Sequence, residues 1–155
     1  MKRILVSMVM VALAIVAFAG DNSGKAAILI PQIKNYLAQE GYVASVDSDN
    51  DIKFKTEGDT YYISVQNYDD GCYIDMYTLS DISGINFTNV LRAANKTQTS
   101  LKYVRVDVIS EKTLSVGAVG FYSNVGQFKT MFDNLLSVIH TADKRFIEKL
   151  IELND

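Results

Sequence analysis

The stretch from residue 51 to 79 constrains the fold more than any other part of the chain, because apolar and polar side chains alternate along it. Ile52 and Phe54, for example, alternate with lysines. A period of two is typical of a β-strand with one buried face. Glycine, asparagine and aspartate at 57–59 and 67–71 break the pattern with turns. The stretch therefore predicts a three-stranded antiparallel meander, which needs a cover of other elements to be stable.

The flanking segments have the patterns of further strands and of amphipathic helices. Apolar residues that recur at spacings of three and four indicate helices, and a second alternating region indicates a hairpin. In chain order we predict a helix at 26–40 with its regular part beginning near Pro31, a short strand at 42–46, a helix at 86–96, hairpin strands at 101–108 and 113–122, and a helix from Val125 to 151 capped by Ser123 or Asn124.

These elements predict a single α+β domain at 20–155. Its antiparallel sheet combines the meander with the hairpin, its first and last helices cover the sheet, and its order is α-β-β-β-β-α-β-β-α. Gly117 and Gly120 in the returning hairpin strand predict a bulge or a close approach by another backbone. The residues expected to be buried together are Ile52, Phe54, Ile63, Val65, Val104, Val106, Leu135 and Ile139.

The first 19 residues have the composition of a cleavable signal peptide. Lys2 and Arg3 precede an apolar run, and Ala17 and Ala19 supply small residues for a signal peptidase. The apolar run of 16 residues is short of the roughly 20 that a spanning helix needs, so cleavage after Ala19 is favoured over an anchor. Removing 19 of 155 residues leaves 136, enough for one domain, in the periplasm or outside the cell.

The remaining composition excludes several classes of function. Cys72 is the only cysteine, so no disulfide can form within the chain, and a buried apolar role is expected for it. The formal net charge of −3 and the lack of a basic cluster argue against nucleic acid and, after cleavage, against a membrane surface. No phosphate-binding glycine loop is present, and no cofactor is predicted.

Two features resemble reactive sites but fit them poorly. The turn from Asp47 to Asp51 begins like a calcium loop, yet Ile52 and Gly58 stand where a glycine and a bidentate carboxylate are needed. His140 is the only histidine and has no zinc-ligand partners or nucleophile motif nearby. We therefore predict no metal or catalytic site, while a small hydrolase that uses dispersed carboxylates and His140 remains the alternative.

Aromatic residues suggest a binding surface instead. Tyr62, Tyr73 and Tyr77 alternate with buried positions, so all three are expected on the solvent side of the meander. Tyrosine suits a surface that is exposed at some times and covered at others, although strands favour aromatics regardless of function. Together with Phe87 and Leu91 on the second helix, they form the predicted contact set for a protein or peptide partner, or for a homodimer. Strand addition at the free edge of the hairpin is the competing mode.

Several local patterns resemble the YbjN-type family of bacterial proteins. They are a helix ending in Gly41-Tyr42, an acidic turn into Ile52-Lys53-Phe54, the helix NVLRAANKT, and a strand that begins at Lys102. The resemblance implies a fold like that of type III secretion chaperones, and a role like that proposed for the family, in regulation of sensory transduction. Those chaperones bind extended segments as cytoplasmic dimers, whereas this chain carries an export signal. No residue role is carried over, and the expected function is an exported, non-catalytic interaction domain.

Overall fold

The computed structural model describes residues 24 to 154, so the predicted signal segment lies outside the described residues. The elements follow the predicted order. They are α1 (Lys25–Gln39), β1 (Ser45–Val46), β2 (Ile52–Thr56), β3 (Asp59–Tyr68), β4 (Gly71–Asp81), α2 (Phe87–Ser100), β5 (Val104–Ser110), β6 (Thr113–Tyr122) and α3 (Val125–Asn154).

The meander and the hairpin form one antiparallel sheet with the strand order β1-β2-β3-β4-β6-β5. The hairpin joins the meander through β6, whose residues pair with β4 from Cys72↔Tyr122 to Asp81↔Thr113 without a register shift. Strand β5 therefore forms one edge of the sheet. The alternation that predicted each strand also decides which of its side chains face the helices.

The three helices of the described part of the chain lie on the same face of the sheet. The buried core joins Leu37 of α1, Val90 of α2 and Phe132 of α3 to the inward side chains of β2 to β6. We expected only the first and last helices to cover the sheet, so that part of the prediction was incomplete. Helix α2 can approach α3 and β5 closely because its buried side includes the small residues Ala93 and Ala94.

The centre of the core is a group of aromatic rings around Phe132. Its ring centroid lies 5.5 Å from that of Tyr36, 5.7 Å from that of Tyr42 and 5.9 Å from that of Phe54. The predicted core is confirmed for every residue except Val65 and Val104, which are partly buried and pack against it. None of the helices between residues 24 and 154 combines the length and apolar character that a bilayer crossing requires.

Helix α1 begins earlier than the sequence indicated. Pro31 lies inside it rather than near its start, because the helix already begins at Lys25. The earlier turn is held from outside the helix: Asn67 Oδ1 accepts a hydrogen bond of 2.8 Å from the backbone N–H of Ala26. Burial of Leu29 adds to this support. Tertiary contacts thus stabilise a turn that proline alone would disfavour.

Two further boundaries differ because of local backbone geometry. Strand β5 begins at Val104 rather than at residue 101, since Tyr103 has a positive φ of 64° that ends any extended run. The segment at 42–46 pairs with β2 only through Ser45 and Val46. At the start of α3, the predicted cap is confirmed, because Asn124 Oδ1 accepts from the N–H of Gln127 at 3.1 Å.

Candidate functional site: the open sheet face, the β5 edge and a polar cavity

The sheet face opposite the helices, here called the open face, has no described helix over it. Tyr62 and Tyr77 are register partners on this face, and their rings stack with centroids 5.3 Å apart. The ammonium of Lys53 lies 5.5 Å from the centre of the Tyr62 ring. The structure therefore brings two of the three predicted tyrosines together as a cross-strand pair.

Tyr77 is tied into the fold by the acidic turn before β2. Its hydroxyl donates a hydrogen bond of 2.6 Å to Asp51 Oδ2. Burial, followed by this bond to Asp51, raises the pKa of Tyr77 well above its usual value of 10.0. Asp47 Oδ1 in turn accepts from the backbone N–H groups of Asp49 and Asp51. The turn that begins like a calcium loop is thus organised by its own hydrogen bonds.

A charged cluster that we did not predict lies beside this tyrosine pair. Arg105 Nη2 is 2.6 Å from Asp75 Oδ2, Arg105 also pairs with Asp107, and its guanidinium carbon lies 5.9 Å from the centre of the Tyr77 ring. Burial raises the pKa of Asp75, while Arg105 acts in the opposite direction. Asp75 Oδ1 and Arg105 Nε are buried without a hydrogen-bond partner among residues 24–154.

Gly117 makes this cluster possible. Strand β6 separates β4 from β5, so Arg105 must reach across β6 to meet Asp75. At that crossing point Gly117 pairs with Tyr77 on one side and Arg105 on the other, and it has no side chain to obstruct the contact. A bulge or a close approach by another backbone was expected at this glycine. The pairing of β6 with β4 has no bulge, and the groups that approach most closely are side chains: an added Cβ would lie 2.9 Å from Asp75 Oδ1 and 3.0 Å from Tyr77 Cβ, with the backbone oxygen of Met76 at 3.1 Å.

Tyr73, the third predicted tyrosine, belongs to a different group, here called the aromatic end. It packs against Phe121 at a centroid distance of 5.4 Å, and Tyr68 packs against the same ring at 5.0 Å. Phe121 is 65% exposed and Tyr68 is 55% exposed, so this is the most accessible aromatic group of the open face. The alternation along β6 and β3 could have indicated both residues.

Phe87 and Leu91 lie on a separate surface from the tyrosines. Both are exposed residues of α2, which packs against α3 and the helix-facing side of β5. A groove of about 300 Å³ runs between α2 and β5, with Leu91 and Gln98 on one side and Val106 to Val108 on the other. Gln98 Oε1 accepts from the backbone N–H of Val106 at 3.2 Å. The hairpin edge is therefore partly covered by α2.

His140 lies at a polar cavity between α3 and the β2–β3 turn. This cavity of about 150 Å³ is lined on its acidic side by Asp59 and Asp143. Burial raises the pKa of Asp143, Asp59 raises it further, and His140 opposes both effects. Between residues 24 and 154 no group of three or more histidine, cysteine or acidic side chains is arranged to hold a metal ion. Cys72 is buried, and burial raises the pKa of its thiol, so the thiol has the environment of an apolar core residue.

Comparisons with known proteins give one structural likeness. No family model matches the chain, and no curated protein matches it. Among solved structures, the chain is similar to the crystal structure of YbjN from E. coli, described as a candidate transcription regulator, with 12% sequence identity, a TM-score of 0.48, and coverage of 81% of this chain and 90% of that chain. At this TM-score and identity, no residue role and no function is taken from the likeness.

Proposed function

We propose that this protein is a non-catalytic interaction domain that binds a second copy of itself through the aromatic end of the open face. The observation that supports this is the exposed contact of Phe121 with Tyr68 and Tyr73 on a sheet face without a described helix over it. Antiparallel sheets often leave one face to solvent, but that face is then usually polar. A group of three packed rings, two of which are more than half exposed, is more typical of an interface.

A twofold interface is consistent with the chemistry of this surface. In such a dimer the same patch serves both subunits, so the rings of one copy can pack against those of the other. Each ring buries apolar area on association, while the tyrosine hydroxyls can stay hydrated. The neighbouring groups Tyr77 and Arg105 are already bonded within the fold, so we assign them a structural role. We assign the contact with the second copy to the aromatic end alone.

The test is sedimentation equilibrium of residues 20–155, comparing the wild type with the double variant Tyr68→Ser, Phe121→Ser. We expect a concentration-dependent dimer in the wild type and a clear shift toward monomer in the variant. The matched control is Tyr103→Ser, because Tyr103 is 82% exposed but lies outside the aromatic end. A wild type that stays monomeric at every concentration, or a dimer that the double variant leaves intact, would refute this function.

Export to the periplasm or the exterior, with cleavage after Ala19, is part of the same proposal. Its support is the order of charged, apolar and small residues in the first 19 positions. Sequencing the N-terminus of protein from its native compartment tests it, and we expect Gly20 as the first residue. Recovery of an intact Met1 in the membrane fraction would indicate an anchor instead.

A small hydrolase remains the second candidate function, because His140, Asp59 and Asp143 line the same cavity. A carboxyl group with a raised pKa in a cavity is a common feature of general acids. Screening ester, phosphate and glycoside substrates with the wild type and with His140→Ala tests this candidate. An activity that the substitution abolishes would favour the enzyme over the interaction domain.

A further inference from the structure

We propose that the aromatic end lies against a lipid bilayer for as long as the first 19 residues stay attached, and that cleavage after Ala19 frees it for a second copy. The surface contacted before cleavage is the lipid–water interface of a zwitterionic bilayer into which the apolar run is inserted. The bilayer contact stands without the dimer, whereas the release to a second copy rests on the proposed self-association.

The first step of the argument is the place where the N-terminal segment joins the fold. Gly24 lies against the end of β3, since a Cβ added to it would be 3.2 Å from Asn67 Oδ1. The ammonium of Lys25 is held at the same place, where it donates to the backbone oxygen of Asp70. Tyr68 of the aromatic end directly follows Asn67 in β3. The described chain therefore begins beside the turn that carries the aromatic end.

The second step is the length of chain between that point and the apolar run. The run ends at Ala19, so only residues 20–23 separate it from Gly24. Five residue steps span at most about 18 Å, so the β3–β4 turn stays within this distance of a bilayer that contains the run. A short tether of this kind gives an effective concentration of about millimolar, at which a weak contact becomes well occupied.

The third step is the kind of side chain at this end of the fold. Phe121 is 65% exposed and Tyr68 is 55% exposed on the open face, and Ile28 in the first turn of α1 is 60% exposed on the other side of the sheet. Apolar groups thus flank the point where the chain enters. Tyrosine is enriched at lipid–water interfaces, because its ring is apolar and its hydroxyl stays hydrated. This end of the fold therefore suits the headgroup layer.

The fourth step is charge, which selects the type of lipid. Asp69 and Asp70 are exposed in the β3–β4 turn, and neither forms an ion pair with another described residue. An anionic bilayer surface would repel these carboxylates, whereas a zwitterionic headgroup layer lets them stay hydrated beside the rings. Cleavage also removes Lys2 and Arg3, which makes the net charge more negative. The cleaved domain therefore keeps neither the tether nor an electrostatic attraction to the bilayer.

The experiment uses single tryptophan reporters, because the sequence contains no tryptophan of its own. Phe121→Trp reports from the aromatic end. The matched control is Ile109→Trp at the opposite end of the sheet, where the native side chain is 61% exposed. The neighbouring pair Ser110↔Thr113 is eight residues from Phe121 along β6, or roughly 26 Å. Each full-length chain is made by cell-free synthesis, so that it stays uncleaved, and is inserted into phosphatidylcholine vesicles with or without bromine on the acyl chains near the headgroup.

We expect the emission of Phe121→Trp to shift to the blue and to lose most of its intensity in the brominated vesicles. Ile109→Trp should show neither change. Tyr68→Trp is a second reporter from the aromatic end and should behave as Phe121→Trp does, while circular dichroism checks that each variant is folded. Residues 20–155 with the same reporters, added to the same vesicles, should show no quenching, because the tether is gone.

Three results would overturn the proposal. They are the absence of quenching in both reporters of the aromatic end, equal quenching of Phe121→Trp and Ile109→Trp, and quenching that persists in residues 20–155. A blue shift without quenching would also overturn it, since the rings would then be covered by protein, either a second copy or the N-terminal segment.

Sedimentation equilibrium of residues 20–155 reads self-association separately. Quenching in the full-length chain together with a strictly monomeric 20–155 supports the bilayer contact and refutes both the dimer and the release to a second copy. A dimer of 20–155 without quenching in the full-length chain refutes the bilayer contact and leaves the proposed self-association in place.

Discussion

The substitution Gly117→Ala tests the account of the open face most directly, because it adds one methyl group at the crossing point of the charged cluster. The new Cβ would lie 2.9 Å from Asp75 Oδ1, 3.0 Å from Tyr77 Cβ and 3.1 Å from the carbonyl oxygen of Met76. Real Cβ atoms essentially never come within 3.0 Å of a neighbour, and the Met76 oxygen belongs to the backbone of β4. Asp75 must therefore move, which disturbs its ion pair with Arg105.

The expected cost follows from two opposing effects. Overpacking a buried site by one methyl group costs about 1–3 kcal/mol. Replacing glycine by alanine in a strand also stabilises the folded state by about 0.5–1 kcal/mol, because the unfolded chain loses conformational freedom. The free energy of unfolding should therefore fall by about 1–2 kcal/mol, and Tm by about 3–8 °C.

Urea unfolding followed by circular dichroism measures this difference at pH 7. The matched control is Gly126→Ala in the first turn of α3, where the nearest neighbour of the new Cβ is the side-chain oxygen of Asn124 at 3.1 Å. That oxygen also accepts the capping hydrogen bond from the N–H of Gln127, so moving it offsets part of the helix preference gained by alanine. We therefore expect the control to stay within about 0.5 kcal/mol of the wild type. If Gly117→Ala were as stable as the wild type, the charged cluster could not be packed as described.

Two further substitutions test the electrostatics. Tyr77→Phe removes the hydrogen bond to Asp51 and should lower the free energy of unfolding by about 1–2 kcal/mol in urea titrations; Tyr73→Phe, which breaks no described hydrogen bond, should have little effect. Asp143→Asn should raise stability at pH 7, because the folded-state pKa of Asp143 is raised by burial and by Asp59, so its ionised form costs stability above that pKa. The gain should disappear when the pH falls below 3.8, the usual pKa of aspartate, because the carboxyl is then protonated in both the folded and the unfolded state. A gain that persisted at such a pH would contradict this explanation.

Sequence patterns predicted the elements well because each pattern reports a local property. The alternation along 51–79 and 104–122 depends only on which side of a strand is buried, and the structure confirms the strands there. The spacing of Phe128, Phe132 and Leu135 similarly predicted the buried side of α3. Where a distant contact decides a boundary, as Asn67 does at the start of α1, the sequence gives no local signal.

The charged cluster could not be predicted for a related reason. Arg105 alternates with Val104 and Val106 along β5, so its position on the open face follows from the pattern of the strand. Its partner Asp75 is on β4, which is separated from β5 by β6, and a strand order of this kind has no local signature in the sequence. Gly117 was noticed as an irregularity in β6, but the side chains that require a glycine there become known only from the register.

The position of α2 changes how the predicted contact residues can act. Tyr62, Tyr73 and Tyr77 lie on the open face, whereas Phe87 and Leu91 lie beside the helix-facing side of β5, so no flat surface contains both sets. A partner that touches both must pass around the edge that β5 forms. An extended segment can do so, because it is narrow and its backbone can pair with that edge, whereas a globular subunit would contact one side only. The predicted contact residues therefore belong to separate surfaces of the sheet, and the proposed self-association uses the open face alone.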